Sequence, residues 1–337
     1  MTGRGRNGSL WSMLTNSIDA EIAQRRTATP RPEAVISVRG LRKRYGDHEV
    51  VRGIDLDLYR GEVVAFLGPN GAGKTTTVEI LEGFRAPDAG VVTVLGEEPA
   101  HASRAWRQRI GVVLQECQPE MGLSARECLQ LYAGYYANPR DVDETIALVG
   151  LQEQADQTAR TLSGGQQRRL DVALALIGDP ELVFLDEPTT GFDPSARRAA
   201  WDLVDRLRAL GVSVLLTTHY MDEAERLADR IVIIRDGEIV ATGTPRALGG
   251  RDHAPALITF AAPTAPPDVA ATRLPDGRFQ FASRTVAGDL HELSGWALAH
   301  DVELNELEVR RPTLEDVYLE LVAPAKPAAM TSGARPR

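Results

Sequence analysis

Residues Gly68-Pro69-Asn70-Gly71-Ala72-Gly73-Lys74-Thr75 decide how this chain reads, and Glu62-Val63-Val64-Ala65-Phe66-Leu67 runs straight into them. The stretch fits G-x-x-x-x-G-K-[ST], a loop that requires a buried strand before it and a helix start after it. Its glycines let backbone N–H groups turn inward and approach phosphate oxygens without a Cβ in the way. The helix opening near Lys74 brings its positive dipole end to the same place. This chemistry assigns Lys74 to the outer phosphates of a nucleotide and the Thr75 hydroxyl to Mg²⁺. The competing reading, a purely structural glycine turn, does not account for so complete a pattern in this context.

Two further stretches extend the reading. Glu181-Leu182-Val183-Phe184-Leu185-Asp186-Glu187-Pro188 delivers two adjacent carboxylates to the end of an apolar strand. Ligands bind at that end in open α/β sheets. Asp186 is placed to hold Mg²⁺, and Glu187 to orient and polarise an attacking water. Taken alone, two acids after a strand suit an ordinary loop equally well. In Leu162-Ser163-Gly164-Gly165-Gln166, a hydroxyl and two glycines precede the helical pattern of Gln167-Arg168-Arg169-Leu170. Free N–H groups at a helix start make an anion site, a second one in a chain that already has one.

The bulk numbers narrow the class. At 337 residues the chain is long enough for two domains with tails. A net charge of −9 argues against a nucleic-acid-coating surface, and Arg42-Lys43-Arg44 reads as a solvated face or as charge near the phosphates. The two cysteines, Cys117 and Cys128, have no metal-ligand spacing and suit idle thiols in a reducing cytoplasm. No apolar run reaches the roughly 18 residues that span a bilayer, and the N-terminus lacks a continuous apolar signal region. Val172 to Ile177 suits a buried helix face and Ile231 to Ile234 a buried strand. The expectation is a chain held at a membrane, if at all, by another protein.

The pattern along the chain suggests four parts. Residues 1–34 read as a tail, either disordered or carrying a short amphipathic helix through Leu10, Leu14, Ile18 and Ile22, with Met13 as an alternative start. Residues 35–250 read as an α/β domain with a mainly parallel sheet. Strands are expected at Ala34–Val38, Gly53–Leu58, Val91–Leu95, Arg109–Leu114, Glu181–Leu185, Val212–Leu216 and Arg230–Ile234. Between residues 117 and 165 the apolar spacing turns helical, as an insertion. After Gly249-Gly250, with prolines at 263, 266 and 267, a small α+β unit over 251–323 is expected. Its strands fall at Arg278–Phe281 and Val302–Val309, one helix at Asp289–His300, and a last helix starts at Pro312. Residues 324–337 read as a disordered tail.

In this order the motifs resemble the nucleotide-binding subunit of an ATP-binding cassette transporter, over roughly residues 35–250. The resemblance implies a P-loop NTPase core of RecA-like type, with an antiparallel β subdomain and a helical insertion. It implies ATP and Mg²⁺ as cofactors. Tyr45 matches the aromatic that stacks on adenine, and Gly68, Pro69, Asn70, Gly71, Ala72, Gly73, Lys74, Thr75 and Thr76 match the phosphate loop. Leu162, Ser163, Gly164, Gly165 and Gln166 match the family signature. Asp186 matches the magnesium-binding aspartate and Glu187 the catalytic glutamate. Gln115 matches the glutamine that senses Mg²⁺ and contacts the permease, and His219 the switch histidine that touches the γ-phosphate. Asp193, in Gly191-Phe192-Asp193, matches the loop that bridges subunits, with Phe192 where the family usually has leucine. His48, His101, His253, His291 and His300 fit no such slot and read as surface residues.

The resemblance also implies partners. ATP is sandwiched between two such domains arranged head to tail, so the partner is a second copy, together with integral membrane permease subunits and no nucleic acid. Arg311-Pro312-Thr313-Leu314-Glu315-Asp316-Val317-Tyr318-Leu319-Glu320-Leu321 and Thr217-Thr218-His219-Tyr220-Met221-Asp222-Glu223-Ala224-Glu225 resemble the drug- and antibiotic-export ATPases of daunorubicin-resistance type. The stripe Leu314, Val317, Tyr318 and Leu321 equally suits plain packing in the small C-terminal unit. The implied function is ATP hydrolysis that energises drug export, on the cytoplasmic face of the membrane. An importer, a lipid or polysaccharide exporter, and a non-transport cassette protein stay open as alternatives.

Overall fold

The computed structural model describes residues 33–113, 122–264 and 269–323. The N-terminal stripe, Gln115, Cys117, the prolines at 266 and 267 and the C-terminal tail lie outside them. The chain begins with β1 (Ala34–Tyr45) and β2 (His48–Tyr59), an antiparallel pair turned at Gly46-Asp47. The buried strand β3 (Val63–Leu67) feeds the phosphate loop and α1 (Lys74–Leu81). Next come β4 (Ala89–Val94), the short α2 (Arg104–Arg107) and β5 (Ile110–Val113). β4 pairs with the other side of β1, closing a three-stranded antiparallel sheet of order β2-β1-β4.

The helical segment holds α3 (Ala125–Ala133) and α4 (Val142–Val149), followed by α5 (Gly164–Leu176). Each starts on a side-chain cap: Ser124, Asp141 and Ser163 accept from the backbone three residues on. α5 then buries Leu170 and every residue from Val172 to Leu176, as its apolar run requires. Cys128 is buried among these helices.

The chain then alternates: β6 (Leu182–Asp186), α6 (Pro194–Ala209), β7 (Ser213–Thr217), α7 (Met221–Leu227), β8 (Arg230–Arg235) and β9 (Glu238–Gly243). These strands join β3 and β5 in a six-stranded sheet of order β5-β6-β7-β3-β8-β9, parallel except for β9. The strand expectations for 35–250 are met to within a few residues at most ends; β1 and β2 run longer. β9 went unread, although Asp236-Gly237 before it is a hairpin signal. Helices α5, α6 and α7 cover one face, and the antiparallel sheet with α1 covers the other, which is why β3, β6, β7 and β8 read as continuous apolar runs and not as alternating ones.

The small C-terminal sheet contains β10 (Ala256–Ala261), β11 (Thr272–Arg273) and β12 (Phe279–Ser283). After α8 (Val286–Ala299) it is completed by β13 (Asn305–Arg310), in antiparallel order β11-β12-β10-β13. Ile258, Phe260 and Leu293 make its core. The last helix, α9 (Leu314–Val322), corrects two expectations. It starts after Pro312, because the Thr313 side chain caps it and accepts from Asp316 N at 3.1 Å. Its apolar stripe packs on the larger unit: Leu314 is fully buried with Leu67, Ile231, Ile233 and Leu248, beside Tyr318 and Leu321. Arg235 clips it there by donating to Leu321 O at 2.6 Å.

Candidate functional site

Strand order creates the site. β7 lies between β3 and β6, with Phe66 beside Thr217 and Asp186 beside Thr217 in register. Three parallel strands therefore end side by side, and the phosphate loop, the Asp186-Glu187 pair and the Thr217–His219 segment emerge at one edge. Residues 68, 187 and 219 are far apart in sequence, and parallel pairing alone brings them together.

The phosphate loop is packed so tightly that glycine is required at two places. A Cβ on Gly68 would lie 2.4 Å from Ile234 O; one on Gly73, at φ 99°, would lie 2.7 Å from Val50 O. Lys74 folds back over the loop, its ammonium donating to Gly68 O at 2.6 Å and Pro69 O at 3.0 Å. Burial lowers the Lys74 pKa, opposed by the negative charges of Glu187 and Asp186. Thr75 is exposed and Thr76 half-buried at the start of α1.

Asp186 and Glu187 are anchored by neighbours that sequence reasoning missed. The Thr217 hydroxyl donates to Asp186 Oδ1, and Arg168 Nη2 donates to Asp186 O at 2.8 Å. Glu187 sits at φ 45°, a conformation that costs a non-glycine residue about 1 kcal/mol or more. Its N–H donates to Thr217 O at 3.1 Å, which holds it there. Thr190 Oγ1 donates to Glu187 Oε2 at 3.1 Å, and His219 Nδ1 lies 3.4 Å from the same oxygen. The exposed His219 ring leans on Tyr220, centroids 4.0 Å apart. The signal for Thr217 was present in the sequence: a threonine at a strand end, two residues before the histidine. Its partner became legible only with strand order.

The signature forms the first turn of α5. Ser163 and Gln166 make a reciprocal capping box, Gln166 N to Ser163 Oγ at 3.3 Å and Ser163 N to Gln166 Oε1 at 2.9 Å. Leu162 is buried as the anchor; Ser163 and Gly164 are exposed. Since its oxygen accepts the cap bond, the Ser163 O–H proton points elsewhere and can donate. An open cleft of about 760 Å³ lies before this turn, lined by Ser163 to Arg169, Glu187, Thr190 to Asp193 and Ser195-Ala196, with no phosphate-loop residue in its lining. The glycine-rich loop and the Ser163 turn of one chain thus do not line this cleft together.

Asp193 caps α6, accepting from Ser195 N and Ala196 N at 2.8 Å each. Tyr45 is exposed at the end of β1, with the Arg85 guanidinium 5.7 Å and the Lys43 ammonium 5.9 Å from its ring centroid. The five remaining histidines are all exposed. The Asp186 carboxylate and Thr75 hydroxyl are hard oxygen donors of the kind Mg²⁺ takes, so the residues present fit that ion.

Glu82, at the end of α1, was not anticipated. It is 6% exposed, and burial, reinforced by the charges of Asp186 and Glu79, pushes it up to about 8. Folding therefore takes up a proton that the unfolded chain releases near pH 4.5, and stability falls as pH rises between these values. Glu82→Gln removes that loss. Without nucleotide or divalent cations, its stabilising effect is expected to grow by about 2 kcal/mol from pH 6 to pH 8 in urea unfolding. Parallel curves for parent and variant would contradict the assignment.

Comparisons with known proteins place the chain in a family. The sequence model of the family described as "ABC transporter" matches residues 51–190, and that described as "ABC transporter domain-containing protein-like, C-terminal domain" matches 257–313. The chain is 38% identical over 307 residues to "Daunorubicin resistance ATP-binding protein DrrA3" of Streptomyces coeruleorubidus, covering 86% of this chain and 96% of that protein. It is 43% identical over 248 residues to "Nod factor export ATP-binding protein I" of Ralstonia nicotianae, covering 68% and 77%. Among solved structures, an "ATP binding subunit of ABC transporter" aligns with TM-score 0.57 and 27% identity over 63% of this chain and 90% of that one. A cbiO1 protein from Clostridium perfringens aligns with TM-score 0.59 and 26% identity, over 64% and 90%.

Proposed function

The chain belongs to the ATP-binding cassette family as an ATP-hydrolysing subunit, and from that membership we propose that it powers export of a drug or antibiotic through a separate membrane permease. The export reading rests on the 38% identity to a daunorubicin-resistance protein, over 86% of this chain and 96% of that protein. Among the described residues no helix is long and apolar enough to cross a membrane; in this reading a separate permease supplies the pathway. The chain would then sit on the cytoplasmic face, held by its permease. The Nod factor export relatives, more identical but over less of the chain, favour a second reading, in which the same engine serves another exported cargo.

In the proposed engine, Lys74 and the loop N–H groups hold the triphosphate, and Tyr45 stacks on the base. Thr75 and Asp186 would hold Mg²⁺, which supplies charge neutralisation at the phosphates when bound. Gln115 belongs to the same proposed set but lies outside the described residues. Glu187 orients the attacking water and takes its proton, with His219 beside it to contact the γ-phosphate. The observation that carries the dimeric reading is the cleft before Ser163, which has no phosphate loop of its own. A second copy, placed head to tail, brings its loop and bound ATP there, while Leu162 to Gln166 and Asp193 face the partner. Hydrolysis removes the bridge, and the pair opens.

A mixed-dimer experiment tests this. Lys74→Ala and Ser163→Arg on opposite chains damage the same cleft and leave the other whole. On one chain, paired with a normal partner, they damage both. Occluded nucleotide is expected in the first pair and lost in the second; equal occlusion in both would exclude composite clefts. Co-purification of a permease from membranes, then drug efflux that depends on Glu187, tests the export half.

A further inference from the structure

Glu223 carries a feature that the reaction as described does not use. It is fully buried in the first turn of α7, where acidic side chains normally face water. Its Oε1 accepts from Trp201 Nε1, on α6, at 3.3 Å. The hydroxyls of Thr218 and Thr189 face the same carboxyl and lower its proton affinity, against a larger rise from burial. Glu223 Oε2 and Thr189 Oγ1 are both buried without a bond of good geometry. Thr218 precedes His219 and accepts from Tyr220 N at 3.0 Å. Thr189 follows Glu187 by two residues, and Trp201 sits two turns into the helix that Asp193 caps.

Outside the core, Arg197 reinforces the same junction. Its guanidinium lies 4.3 Å from the centroid of Tyr220 and 3.3 Å from Asp222 Oδ2. Three segments therefore meet at one carboxyl: the turn after Glu187, the turn before His219, and the helix behind Asp193. A buried carboxyl left partly satisfied is costly unless its partners are held together, so such a junction favours rigid coupling over independent motion.

We propose that Glu223, with Trp201, is a positioning residue that makes His219 and Asp193 move as one body, so that γ-phosphate contact at His219 sets the surface offered to the partner subunit. The inference rests on the roles given above to those two residues. His219 moves with α7, α7 is tied through Glu223 to α6, and α6 begins at Asp193. Coupling of this kind acts on closure of the pair and on turnover, and leaves binding of ATP to a single chain untouched.

The test uses the full chain and ATP with Mg²⁺. Trp201→Phe removes the N–H and keeps the ring, so it is the mildest probe; Glu223→Ala and Glu223→Gln bracket it. Hydrogen exchange is expected to show ATP protecting both the phosphate loop and the Asp193–Arg197 turn in the parent. In Trp201→Phe and Glu223→Ala, loop protection should persist while protection of the turn falls. Turnover should drop about tenfold with KM for ATP unchanged. Glu223→Gln, which can still accept from Trp201, should recover most of the loss. Full protection of the turn and parental turnover in Trp201→Phe, with Glu223→Ala folded and active, would overturn the proposal. His219→Ala is the control: if it hydrolyses ATP at the parental rate, the switch role itself fails and this inference falls with it.

Discussion

Glu187→Gln is expected to cut ATP turnover by about 10³-fold while leaving ATP affinity within a factor of about three. The substitution preserves size and keeps an oxygen for the Thr190 hydroxyl, which donates to Glu187 Oε2 at 3.1 Å. It also leaves the backbone bond to Thr217 O that holds residue 187 at φ 45°. What it removes is the ability to take a proton from water. Since the phosphate loop is untouched, nucleotide still binds, and the closed pair should accumulate because the step that opens it has been blocked. Sedimentation with ATP and Mg²⁺ should show a dimer in the variant, and single-turnover kinetics should place the defect in hydrolysis. Parental turnover would remove Glu187 from its role.

Lys74→Ala is expected to weaken ATP binding by about 100-fold or more. A hydrogen bond to a charged group contributes about 1.5–3 kcal/mol, and the ammonium is placed to offer more than one to the outer phosphates. Its half-buried position, which already lowers its pKa, makes the contact less screened than a surface ion pair. The ammonium also bonds to the carbonyls of Gly68 and Pro69, so the variant's loop should exchange amide protons faster even without nucleotide. Titration with a fluorescent ATP analogue separates the two variants: affinity collapses in Lys74→Ala and holds in Glu187→Gln. Equal affinity in both would contradict the assignment of Lys74.

The motifs differ in how much of their structural setting was legible. Gly68 and Gly73 were readable because a phosphate loop demands glycine locally, and the contacts at 2.4 Å and 2.7 Å state the same demand in space. Ser163 was readable as a helix start because a capping box is closed within three residues of sequence. Thr217 and Arg168, which fasten Asp186, were not, because their partner lies in another element. Nothing in the local pattern marks Glu82 or Glu223 as buried; only packing buries them. The last helix shows the same limit. The spacing of Leu314, Val317, Tyr318 and Leu321 announced an apolar face, read as packing in the small C-terminal unit; in the fold it covers the larger one.

Sequence alone determined the groups on offer: a glycine-rich loop between a strand and a helix, paired carboxylates after a strand, and a capped helix start with two glycines. Each depends on neighbours a few residues away, through backbone freedom, capping and burial period. The tertiary structure alone decided that β7 lies between β3 and β6, and that no residue of the glycine-rich loop lines the cleft before Ser163. Strand order arises from pairing between distant segments, and a local pattern carries no record of which strand it will meet.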